Sequence, residues 1–145
     1  METTPQYAVH LQWTEGSKGI LSSPMLSSDL EVATAPFFSK GVEGVWSPEH
    51  LFVAAVNGSF MTTFLAVAEK AKLAFVTFDC HATGTVQQEQ GRPWVSTIVL
   101  KPVLTILSAK EVAKALHVLS LTEKNCLISN SVSTVIHLAP AVQVA

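Results

Sequence analysis

The sequence predicts an α+β fold, and three features carry that reading. One long apolar segment stands behind a helix start signal. Two extended stretches follow it, joined by a tight turn around Gly91-Arg92-Pro93. A shorter amphipathic segment then precedes one last strand. Strands, long helix, strand pair, helix and strand, in that order, keep helices and strands in separate runs rather than in regular alternation.

The long helix begins at Ser47-Pro48-Glu49 and is expected to run to about Lys72. Serine is a good N-cap because its hydroxyl accepts a bond from a free first-turn amide. Proline is tolerated at the next position, where its missing N–H would have been unpaired anyway. Glu49 puts a negative charge at the positive end of the helix dipole. The run Leu51 to Ala68 is apolar on nearly every face, which predicts a helix covered on all sides. Asn57, Gly58, Ser59, Thr62 and Thr63 interrupt it, and Glu69, Lys70 and Lys72 close it, so it reads as a core helix rather than a membrane span.

Ahead of the helix, Tyr7 to Trp13 alternates as a strand, with Tyr7, Val9, Leu11 and Trp13 on one side. Gly16-Ser17-Lys18-Gly19 is a turn, Ile20 to Ser23 returns as the second half of a hairpin, and Asp29 to Ala33 is a third short strand. Thr34 to Trp46 is irregular. Beyond the helix, Ala74 to Gln88 and Trp94 to Leu107 form the long strand pair, in which Pro102 demands an edge position or a bulge. Ser108 caps a second helix, Ala109 to about Leu121. A short helix over Asn125 to Asn130 and a strand over Ser133 to Leu138 complete the chain.

Composition narrows the function. The 145 residues are the size of one domain, 1–145, with 48% hydrophobic and 14% charged side chains. So thin a charged surface is more easily covered when a second copy hides part of the apolar area, which predicts a homodimer. A net charge of −2, with eight lysines and Arg92 scattered, excludes the basic stripe of a nucleic-acid binder. The first residues carry no basic-then-apolar signal pattern, and two cysteines without a framework predict reduced thiols, so the expected setting is the cytoplasm, with no membrane. No glycine-rich phosphate loop follows a strand, and the five histidines lack ligand spacing, so neither a cofactor nor a metal is expected.

The segment Pro48-Glu49-His50-Leu51 through Phe60 resembles the helix signature of the OsmC/Ohr family of thiol peroxidases. That signature is Pro-Glu-x-Leu, a small-residue run, then a cysteine ten residues past the glutamate. Cys126-Leu127-Ile128-Ser129-Asn130 is similar to the second signature, a cysteine segment after an amphipathic helix. The resemblance runs from about Tyr7 to Leu138. It implies an OsmC-like fold: a long central helix wrapped by antiparallel β-sheets, in an intertwined homodimer with a pocket at the interface. It also implies an oxidative or osmotic stress role. In active members the first cysteine attacks the peroxide, the second resolves the sulfenic acid, and an N-terminal arginine held by the glutamate stabilises the thiolate. Here the first position is Ser59, while Cys126 and Glu49 are kept. No arginine precedes Arg92, leaving Lys18 and Lys40 as the N-terminal cations. A serine hydroxyl stays protonated at neutral pH and has no sulfenic state. The expected function is therefore a non-peroxidatic family member that binds a small apolar molecule at the site of Ser59, Cys126 and Glu49. A hydroperoxide reductase working through Cys126 ranks second, and a serine enzyme built on Ser59 a distant third.

Overall fold

The computed structural model describes residues 4–145, which fall into two compact units, one ending at Leu51 and the other running Phe52–Ala145. In the first unit, strands β1 (His10–Glu15), β2 (Lys18–Ser22) and β3 (Leu30–Ala33) form an antiparallel sheet in that order. The β1–β2 turn is tighter than predicted. Only Gly16-Ser17 lies between the paired Glu15 and Lys18, and Gly16 takes a left-handed φ of 53° that costs glycine no strain. Both faces of β1 are exposed, Trp13 at 71%. Trp46 lies parallel to Val32 and its carbonyl accepts from the Ala33 N–H, which tethers the irregular stretch to β3 just before the long helix.

Helix α1 spans Pro48–Lys70. Ser47 caps it as expected, its Oγ accepting from the His50 N–H at 3.1 Å. By length and composition α1 is apolar enough to cross a membrane. Its central residues nonetheless pack on the sheet of the second unit. That sheet is built on β4 (Thr77–Glu89) and β5 (Arg92–Ile106), antiparallel through a two-residue turn. Both turn residues, Gln90 and Gly91, have positive φ (52° and 77°), the twist that suits a hairpin.

Strands β6 (Val135–Leu138) and β7 (Ala141–Val144) run parallel to β5. The sheet is therefore mixed, and the last strand continues beyond the predicted Leu138. Pro102 sits neither at an edge nor in a bulge. The carbonyls of Leu100 and Ile106 accept from Ala139 and Ala145, so even-numbered residues of β5 turn their peptide groups toward β6 and β7. Pairing on that side stops at Leu100 and resumes at Val103, and the missing N–H of Pro102 falls in the gap, alongside Pro140.

The second predicted helix opens with a single 3-10 turn, Ala109–Glu111, capped by Ser108, and continues as α2 (Val112–Asn125). The short helix expected over Asn125 to Asn130 is only a 3-10 turn at Ser129–Ser131.

Within one chain α1 is not covered on all sides. It buries the stripe Val56, Phe60, Phe64 and Ala68, while Met61 and Leu65 remain 43% and 44% exposed. A single sheet and one further helix can cover only one side of a rod. Phe60 and Phe64 stack on Phe78 of β4 (centroids 6.1 and 4.7 Å apart), and Phe64 meets Phe75 edge-on. At Gly84 the strand lies tight against the helix: an added Cβ would be 2.5 Å from Val53 Cγ2. Valine is stiff at χ1 and cannot swing away cheaply. Gly84→Ala is therefore expected to destabilise the fold by about 1–3 kcal/mol through overpacking. Denaturant unfolding at unchanged m would show it, and Val53→Ala in the same chain should restore part of the loss.

Candidate functional site

Phe60 is fully buried against β4, so its predecessor Ser59 is turned about 100° around the helix, toward the C-terminal end of α2. There α2 stops at Asn125, and Cys126 takes an extended conformation (φ −71°, ψ 117°) as the C-cap. Ser59 Oγ and Cys126 Sγ are 2.9 Å apart. The Ile128 N–H donates to Ser59 Oγ at 3.4 Å, which leaves the serine proton free to point at the sulfur.

Cys126 is fully buried and its thiol is free. Burial alone would push its pKa up. Hydrogen bonds from the Ser129 side chain, the Ser59 side chain and the backbone N–H groups of Ser129 and Ile128 outweigh it, and the net direction is below the ordinary thiol value. Ser129 Oγ is itself buried and makes no hydrogen bond of good geometry, so its approach to the sulfur is looser than that of Ser59. Cys80 behaves oppositely. Half-buried in β4, it is pushed up to about 11, first by desolvation, against a backbone hydrogen bond from Lys101 and with the added repulsion of Asp79.

Of the three residues singled out from the sequence, Ser59 and Cys126 come together. Glu49 lies in the first turn of α1, ten residues earlier along the helix, and among the described residues it takes part in no ion pair. Lys18 and Lys40 line one concavity of the first unit together with Glu15 and Val42. Two contributors went unrecognised in the sequence. Ser129, in the sequence no more than part of the second signature, brings its hydroxyl to the Cys126 sulfur. Asn57, in the sequence an interruption of the apolar run, donates from its Nδ2 to the Cys80 carbonyl at 3.0 Å and ties α1 to β4.

One helical turn beyond the Ser59–Cys126 pair, a groove of about 830 Å³ runs between the two helices. Thr63 and Val67 line one wall, Leu121 and Asn125 the other, and Glu69 and Lys70 lie at its end. The arrangement offers one hydrogen-bonded, fully buried thiol and, a helical turn away, a groove lined by both apolar and polar side chains. It offers no second sulfur, because a hydroxyl occupies that place.

The two thiols should separate in a pH profile of alkylation. Cys126 is expected to titrate below an ordinary thiol and Cys80 near 11, read site by site from peptide masses. The stability that Cys126 contributes through its lowered pKa is present above the pKa of an unfolded thiol and disappears as pH falls through its folded value. Cys80 works the other way, costing stability as pH rises from about 8.5 toward 11. A Cys126 midpoint at or above that of an unfolded thiol would contradict the hydrogen-bonding scheme.

Residues 41–139 match the family described as OsmC-like protein. No curated protein matches the sequence. Among solved structures, an OsmC-like protein of unknown function from Vibrio cholerae is similar at 21% identity and a TM-score of 0.83, covering 94% of this chain and 99% of that one. An organic hydroperoxide resistance protein from Elizabethkingia anophelis is similar at 19% identity and a TM-score of 0.74, covering 99% and 100%. A putative organic hydroperoxide resistance protein from Vibrio cholerae, with captopril bound in one of its active sites, is similar at 22% identity and a TM-score of 0.68, covering 98% and 95%. The fold is the OsmC-like α+β fold.

Proposed function

The chain belongs to the OsmC-like protein family, and we propose that it binds a small, predominantly apolar molecule there, without a two-thiol peroxidase cycle. The observation that carries this reading is the Ser59 hydroxyl, 2.9 Å from Cys126, where a dithiol cycle needs a second sulfur. Serine cannot take up the peroxide oxygen, and Cys80 on β4 is held protonated over the neutral range. The groove beside the pair supplies the binding volume, and captopril in a similar protein supports a small organic ligand in such a site.

A second copy of the chain completes this picture. The apolar side chains left exposed by one chain, among them Trp13 in the first unit and Met61 and Leu65 in the second, support a homodimer whose interface closes the pocket. The setting for such free thiols is the cytoplasm. One observation favours the other reading, a thiol-dependent hydroperoxide reductase of the stress response: the Cys126 sulfur has the Ser59 hydroxyl 2.9 Å away, a contact that can stabilise a thiolate.

Hydroperoxide consumption with a dithiol reductant tests the ranking. The natural protein is expected to show no catalytic turnover, while Ser59→Cys gains at least one equivalent and closes a disulfide to Cys126, the two side chains already being in contact. The gain stays modest because no arginine stands by to stabilise the new thiolate. Catalytic turnover by the natural protein that Cys126→Ser abolishes would reverse the ranking. For the dimer, sedimentation in dilute solution should give twice 15.5 kDa, and a stable monomer would refute it.

A further inference from the structure

We draw no further inference here: the strongest candidate, the open concavity of the first unit beside the β1–β2 turn, lined by Glu15, Lys18 and Lys40, brings together charges of both signs that form no ion pair among the described residues, and no buried polar group aimed into it points to a ligand.

Discussion

The stripe Val56, Phe60, Phe64 and Ala68, with its phenylalanines stacked on Phe78 of β4, sets the rotation of α1, and the placements in the second unit follow from it. Burying side chains of this size contributes roughly 1.5–3 kcal/mol each, far more than any single polar contact nearby. With Phe60 committed to the sheet, Ser59 has one direction left, toward the end of α2. Asn57 is turned to the β4 backbone by the same rotation, and Gly84 is needed where the strand lies tight against the helix. Apolar packing thus does the positioning, and the polar site uses the precision that packing supplies.

What the site does with that position is an electrostatic matter. A buried thiol left alone resists ionisation, as Cys80 illustrates. Cys126 escapes this through short-range donors gathered at the end of α2, where the backbone N–H groups of Ile128 and Ser129 come free as the helix stops. Among the described residues no side-chain cation takes part.

Each unit also leaves apolar surface without a partner in its own chain. Unpartnered faces on β1 and α1 are costly in water, and a protein with 14% charged residues has little polar surface to spread over them.

Local chemistry was legible in the amino-acid sequence. The Ser47-Pro48 cap, the apolar length of α1, the β4–β5 hairpin with its glycine turn and the Ser108 cap follow from short-range rules that act within a few residues. So did the suspicion that Ser59 and Cys126 share a site, which came from two signatures and not from periodicity. The tertiary structure decided the rest, because it depends on which faces meet. An apolar helix carries no record of which stripe will be buried, so the Val56-to-Ala68 stripe appears only against β4. Pro102 looked unfit for a central strand until the gap between β6 and β7 supplied a place for its missing N–H. The hydroxyl of Ser129 and the free amides at the end of α2 become donors to a sulfur only when the chain folds back. The ionisation of Cys126 is a property of that assembly, whereas the identity of the atom 2.9 Å away, an oxygen and not a sulfur, was written in the sequence.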